Sequence, residues 1–270
     1  MSAPRRTSER RAGIPARLTV CAVAVLTLAG LASAAGQAPP PRLPFEVGER
    51  LVYQVRVAKF GTIGKGVMSV EGPEDVRGEA TYRLRFSFKT RVGPVKAVNR
   101  SESWVDPRRM VALRFHKHER HPLSRHDEAV EIYPDQHRWE EADGTMREST
   151  TDAPLDELSF IYFIRTLPLA ADSVYRFERH FDPARSPTTV RVAGRETVRT
   201  EAGTFRTVVV EMRVKDPRRY RGEGVIRFHF TDDAERLPVR IESAMPVVGR
   251  GVLTLESYTH PPERLIARAH

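Results

Sequence analysis

The stretch "LDELSFIYFIRTLPL", residues 155–169, constrains the fold of this 270-residue chain more than any other segment. It is the only stretch after the first 34 residues with the apolar pattern of a helix, whereas the segments around it alternate like strands. Apolar residues cover most of the helix circumference, because only Ser159 and Arg165 interrupt them in the middle turns. A helix of this kind must be buried on more than one side.

The surrounding segments predict β-strands. "ATYRLRFSFKT" alternates most regularly, with Tyr82, Leu84 and Phe86 on one face and charged residues on the other. About a dozen such segments, joined mostly by short turns, are typical of an antiparallel meander. We therefore predict a mainly β fold: a strongly curved antiparallel sheet or incomplete β-barrel, with one buried helix at about residues 155–167 on its concave side.

The ends of this helix are also suggested by the sequence. Thr151 or Asp152 is expected as the N-cap, with Pro154 in the first turn, since side-chain acceptors followed by proline favour a helix start. Pro168 is expected to end the helix, because proline lacks the amide hydrogen that continues the ladder.

The first 34 residues have the layout of a secretory signal peptide: a basic region, an apolar run at residues 18–32, and small residues at 32–34. As a helix the run spans roughly 22 Å, which is short of the roughly 30 Å hydrocarbon core of a bilayer. We expect cleavage after Ala34 and no transmembrane span thereafter, although an uncleaved anchor is the alternative. A proline-rich tether at 35–44, a single β-rich domain at 45–260 and a tail at 261–270 complete the predicted organisation.

Charge and cysteine usage exclude several classes of function. The net charge is +9, but the first 34 residues hold five arginines against one acid, and later arginines are mostly interspersed with acids. A nucleic-acid partner is therefore not expected. The only cysteine, Cys21, is lost on cleavage, which excludes thiol catalysis, zinc–thiolate sites and iron–sulfur clusters. The absence of G-x-S-x-G, P-loop and dinucleotide fingerprints points to a non-enzymatic protein without a cofactor.

Several segments, taken in order, resemble a bacterial family, the domain of unknown function 3108. They are "LPFEVGERLVYQVRVAKFGTIGKGVMSV", the helical "LDELSFIYFIRTLPL", "VRVAGRETVRTEAGTFRTVVVE" and "FTDDAERLPVRIES". The resemblance covers about residues 44–259 and implies a periplasmic location and one β-rich domain. The family has no assigned activity, so it supplies no catalytic residues. The architecture is also similar to the curled sheets of periplasmic lipoprotein carriers, an analogy that transfers no function by itself.

Two sets of residues are candidates for binding. Aromatic side chains that line the predicted trough are candidates for holding an acyl chain, namely Tyr82, Phe86, Phe88, Trp104, Phe115, Tyr162 and Phe163. The alternative is that they simply pack against the helix. His116 and His118 share one strand face and form a candidate metal pair, for which Asp127, Glu128 or His229 is a candidate third ligand. The alternative there is an exposed strand and loop.

These observations lead to three hypotheses of function. The first is a non-enzymatic periplasmic binding or carrier protein for an apolar or amphipathic envelope component such as a lipid, with basic residues at the rim meeting anionic head groups. The second is an envelope assembly scaffold that binds another protein through a sheet edge. The third is a metal-binding protein that uses the His116 and His118 strand.

Overall fold

The computed structural model describes residues 42–259 except 93–94, 122–123, 217–221 and 246–248. The predicted signal peptide, its cleavage site after Ala34, the tether as far as residue 41, and the tail at 261–270 lie outside the described residues. The chain divides into two units, residues 1–39 and 40–270. Only the second contains described residues, and everything below refers to it.

Fourteen strands, one α-helix and two short 3-10 helices (Pro134–Gln136 and Pro183–Arg185) make up the regular structure of the described residues. The strands are β1 (Arg50–Val57), β2 (Gly61–Val76), β3 (Glu79–Val92), β4 (Val95–Asp106), β5 (Val111–His121), β6 (Ser124–Tyr133), β7 (Arg138–Glu141), β8 (Met146–Glu148), β9 (Val174–Phe177), β10 (Thr188–Thr200), β11 (Gly203–Lys215), β12 (Glu223–Thr231), β13 (Pro238–Met245) and β14 (Gly249–Thr259). The helix, α1, is Glu157–Arg165. None of the helical segments described has the length and apolar character needed to span a membrane.

All fourteen strands form one antiparallel sheet in the order β8-β7-β6-β5-β4-β3-β2-β1-β14-β13-β12-β11-β10-β9. The first and last strands therefore pair in the middle of the sheet. Its two edges, β8 and β9, are neighbours along the chain, and α1 lies between them in sequence. The sheet is not closed into a barrel, because β8 and β9 do not pair.

The sheet is strongly curved, since residues from distant strands share one core with the helix. Leu84 of β3 and Val190 of β10 are seven positions apart in the sheet order, yet both pack into the same cluster as Tyr162 of α1. Bulges help the strands to bend, because each adds local twist. The bulge in β2 requires glycine: Gly72 has φ +116°, and a Cβ there would lie 3.0 Å from the carbonyl oxygen of Thr81. The predicted fold class is confirmed.

The helix starts later than the sequence suggests. Neither Thr151 nor Asp152 caps it; the N-cap is Asp156, whose carboxylate accepts hydrogen bonds from the backbone amides of Leu158 and Ser159. The reason is tertiary: residues 154–155 are held in extended backbone by strand-like pairing. The amide of Leu155 donates to the carbonyl of Arg179 (2.6 Å) in a short parallel bridge. The helix ends at Arg165, before Pro168.

Most apolar side chains of α1 are buried, and so is the one arginine in its last turn. The Arg165 side chain is 0% exposed and forms two 2.7 Å hydrogen bonds with the carboxylate of Glu49. It also donates to the carbonyl oxygens of Pro44 (2.9 Å) and Glu235 (3.0 Å). A single guanidinium thus joins the helix to the segment before β1 and to the loop between β12 and β13.

Replacing this arginine tests its role in the fold. We expect Arg165→Met to lower the free energy of unfolding by about 3–5 kcal/mol, because Glu49 is left buried without its partner. The double variant Arg165→Met/Glu49→Leu should recover most of that loss. Urea denaturation followed by circular dichroism measures both. Equal stability of the single variant and the wild-type protein would contradict the assignment.

Candidate functional site

Most of the aromatic residues predicted to line the trough lie on the concave side. Phe115 and Tyr162 are 0% exposed, and Tyr82, Phe86 and Phe163 are partly buried against the same core. The helix and its aromatic side chains therefore occupy the space in which an acyl chain was expected. The role of these residues in ligand binding stays a prediction.

Two of the predicted aromatic residues are elsewhere. Trp104 lies on the outer face, because it follows Ser103, whose hydroxyl faces inward and donates to Asp156. Trp104 packs in a separate cluster, and its indole nitrogen donates to Glu74 (2.7 Å). The ring of Phe88 lies beside Gly64 of β2 and belongs to neither core cluster.

The two histidines of the candidate metal pair share the outer face of β5, but among the described residues they and the candidate third ligands do not converge on one point. His116 packs its ring against Trp104 at a centroid distance of 5.1 Å. His118 contacts Asp127 (2.7 Å), and that carboxylate also pairs with Arg120. His229 is in β12, on the other side of the sheet centre. Among the described residues, no group of three or more potential ligands is placed to hold a metal ion.

The N-terminal end of α1 carries a group of partly or fully buried ion pairs, here called the ionic cluster: Lys117, Glu128, Glu157, Arg185 and Asp216. The carboxylate of Glu157 accepts hydrogen bonds from Lys117 of β5 and from Arg185 (2.6 Å), which follows β9. Arg185 also approaches Asp216 (3.4 Å) and Glu128 (4.0 Å). The cluster therefore links the two edge regions of the open sheet through the helix. Because each of its charges contacts at least one opposite charge, we interpret it as a structural link between the two edge regions.

His180 lies next to this cluster and is kept neutral. Its ring is buried against Phe181, and its Nδ1 accepts a hydrogen bond from the amide of Asp182 (3.1 Å). Burial, followed by the nearby charge of Arg185, lowers the pKa of His180 from 6.5 to about 3. A neutral imidazole that accepts through Nδ1 carries its proton on Nε2, so this group is uncharged at neutral pH.

An open cleft of about 520 Å³ lies at the opposite end, where α1 stops. Its apolar lining consists of Leu43, Pro44, Pro107, Met110 and Ala234. Four arginines contribute to its wall: Arg42, Arg108, Arg165 and Arg236. The one carboxylate in the lining, Asp233, accepts hydrogen bonds from Thr231 and from backbone amides of its own loop. The cleft thus combines an apolar floor with positive charge.

The four arginines differ in how their charge is compensated. Arg165 pairs with Glu49, and Arg236 pairs with Asp232 (3.2 Å). Arg42 and Arg108 are exposed and form no ion pair with any described residue. Two positive charges of the cleft are therefore available to an anionic group from outside.

Comparison with known families agrees with the fold. Residues 52–256 match the family model described as "Protein of unknown function (DUF3108)". The chain belongs to this family. No curated protein sequence matches this DUF3108 chain significantly.

Solved structures show similar folds at low sequence identity. A β-barrel-like protein of domain of unknown function DUF1849 from Brucella abortus superposes with a TM-score of 0.57 at 11% identity, covering 80% of this chain and 99% of that one. A candidate exported protein with a YmcC-like fold from Bacteroides fragilis gives a TM-score of 0.31 at 14% identity, covering 80% and 98%. A candidate lipoprotein from Parabacteroides distasonis gives 0.30 at 10%, covering 80% and 97%. The first likeness shows that the β-barrel-like fold is shared.

Sequence reasoning found the aromatic residues of this DUF3108 protein but missed the cleft. Four segments that are far apart in sequence line the cleft. They are the segment before β1, the β4–β5 turn, the end of α1 and the β12–β13 loop. The one available signal was Arg165, an arginine in an otherwise apolar helix. It implied a buried acidic partner, but nothing in the sequence identified Glu49.

The neutral state of His180 makes stability depend on pH. Its folded-state pKa lies below 6.5, so the unfolded chain binds the extra proton between about pH 3 and 6.5, and stability is lost as the pH falls through that window. From pH 7 to pH 4 this group should remove about 3 kcal/mol from the free energy of unfolding. We expect His180→Gln to remove that part of the acid sensitivity in urea titrations at both pH values. His137→Gln, at an exposed position, is the matched control and should leave the acid sensitivity of the protein unchanged. Identical acid sensitivity of the two variants would refute the assignment of this effect to His180.

Proposed function

We propose that this DUF3108 protein is a non-enzymatic, exported binding protein for an amphipathic component of the cell envelope, held at the cleft beside the end of α1. The observation that carries the proposal is the cleft itself: an apolar floor bordered by Arg42 and Arg108, whose charges are not compensated within the described residues. Its volume of about 520 Å³ is in the range of small-molecule sites, roughly 300–1,000 Å³.

The cleft supports this function better than the interior of the sheet does. An acyl chain between sheet and helix would have to displace fully buried side chains such as Tyr162 and Phe115. Burial of each large apolar side chain contributes about 1.5–3 kcal/mol, so emptying the core would cost much of the stability of the fold. Binding at the cleft leaves this packing intact.

Export to the periplasm is part of the proposal and is supported by the sequence. The first 34 residues have the order of basic, apolar and small residues found in signal peptides. An envelope ligand would be encountered in that compartment. A mature chain without Cys21 also has no cysteine, so its stability depends on the packed core rather than on disulfides.

A second candidate function is an assembly scaffold, supported by the free edge of the sheet at β9. This strand pairs only with β10, and Val174 at its start is 62% exposed. An extended segment of another protein can add a strand to such an edge. Capture of one stoichiometric envelope protein, lost when β9 is interrupted by Arg176→Pro, would favour this alternative.

The proposed function predicts a bound amphiphile in protein taken from its own compartment. Native mass spectrometry of protein purified from periplasmic extract should show an added mass that dissociates on collisional activation. Arg108→Ala should reduce the bound fraction, with affinity about tenfold weaker, because a hydrogen bond to a charged group contributes about 1.5–3 kcal/mol. Arg109→Ala is the matched control, since this neighbouring arginine pairs with Asp135 (2.7 Å) and does not line the cleft. Native spectra that show the unliganded mass alone in every sample would contradict the proposal.

A further inference from the structure

A strip of partly exposed aromatic residues runs along the outer side of α1. It consists of Phe163 of the helix and Phe177 and Tyr175 of β9, here called the aromatic strip. The ring centroids of Phe163 and Phe177 are 5.0 Å apart, and those of Phe177 and Tyr175 are 6.0 Å apart and stacked. All three pack against the main core with one side and remain partly accessible on the other. The strip is thus an apolar surface that the sheet does not cover completely.

The aromatic strip borders the cleft at two points. Thr166 lines the cleft and follows Phe163 by three residues, so the two lie on the same face of the helix end. Arg179 lies over the ring of Phe163, with its guanidinium carbon 4.4 Å from the centroid. The same guanidinium donates to the carbonyl oxygen of Met110 (2.6 Å), which also lines the cleft. A ligand that contacts the cleft can therefore reach the strip past Thr166 and Arg179.

Arg179 brings an additional positive charge to this junction. Its hydrogen bonds go to two carbonyl oxygens, those of Met110 and Ala153, and it forms no ion pair with any described residue. Burial lowers its pKa from 12.5 to about 10. An anion placed nearby would compensate this charge, as it would those of Arg42 and Arg108.

We propose that the cleft and the aromatic strip form one site for an amphiphile with an anionic head group, its phosphate or carboxylate facing the arginines and its alkyl chain lying along Phe163, Phe177 and Tyr175. This inference rests on the proposed function and specifies its ligand. Phosphate and carboxylate share the charge and the acceptor oxygens that a guanidinium recognises. The aromatic strip supplies apolar contact to one side of the alkyl chain only.

Isothermal titration with chemically defined probes tests the ligand class. Dodecyl phosphate and laurate, each below its critical micelle concentration, should bind at least about tenfold more tightly than dodecyl maltoside or inorganic phosphate. Shortening the chain from dodecyl to octyl phosphate should weaken binding by about twofold per methylene, less than the roughly fourfold of full burial. Inorganic phosphate binding as tightly as dodecyl phosphate would overturn the role of the strip, and dodecyl maltoside binding equally well would overturn the role of the arginines.

A pair of variants separates the effect of Arg179 from general loss of charge. Arg179→Met should weaken binding of dodecyl phosphate by about tenfold and leave dodecyl maltoside unaffected. Arg176→Met removes the same charge from an exposed position of β9 that points away from the strip. It should change the affinity for neither dodecyl phosphate nor dodecyl maltoside. Equal losses in the two variants, measured on samples with native circular dichroism, would contradict the assignment of Arg179.

Photolabelling of the wild-type protein locates the alkyl chain without any variant. A dodecyl phosphate with a diazirine near the chain end should label Phe163, Phe177 or Tyr175, as read by tandem mass spectrometry. Labelling of interior residues such as Phe115 would place the alkyl chain under the helix and overturn this site while keeping the proposed function. Failure of every amphiphile to bind, whether anionic or neutral, would instead remove the proposed function itself.

Discussion

The buried ion pair between Arg165 and Glu49 is the interaction on which the architecture depends most directly. The helix can enter the curved sheet only if the charge in its last turn is neutralised, because an unpaired guanidinium in the core costs several kcal/mol. Glu49 supplies that neutralisation from the segment just before β1, the strand that pairs with β14 at the centre of the sheet. The carbonyl oxygens of Pro44 and Glu235 complete the hydrogen bonding. The last turn of α1 is thereby fixed against two separate parts of the chain, the segment before β1 and the loop between β12 and β13.

The helix also covers the gap that is left between the unpaired edges of the open sheet. A fourteen-stranded sheet whose edges do not meet exposes two strand edges and leaves a gap in the wall around the core. The chain between β8 and β9 fills that gap: Leu155 bridges to the segment after β9, α1 covers the concave side, and Glu157 holds Lys117 and Arg185 together. Side-chain packing and ion pairs thus take the place of the backbone pairing that would close a barrel.

The two ends of α1 differ in how their charges are compensated, and this difference underlies the functional argument. At the N-terminal end each charge of the ionic cluster contacts an opposite charge within the fold. At the C-terminal end Arg42 and Arg108 line the cleft together with apolar side chains, and Arg179 lies beside it; none of the three forms an ion pair with a described residue. In a structural cluster the charged groups pair with one another, whereas in a binding site some charged groups remain available to pair with the ligand. For this reason the cleft, rather than the filled interior, is the better candidate site.

The sequence by itself determined the mainly β class, the curled antiparallel sheet and the single buried helix, because periods of 2.0 and 3.6 residues report directly which side chains face a core. It placed Phe115 and Tyr162 on the concave side for the same reason. It could not place Trp104, because the sequence does not show which face of β4 points toward the core. It also could not show that backbone pairing of Leu155 delays the start of the helix, whose N-cap is Asp156. Only the tertiary structure decided that Glu49 neutralises Arg165 and that four distant segments form the cleft. These features depend on contacts between residues more than 50 positions apart, and local patterns carry no information about such contacts.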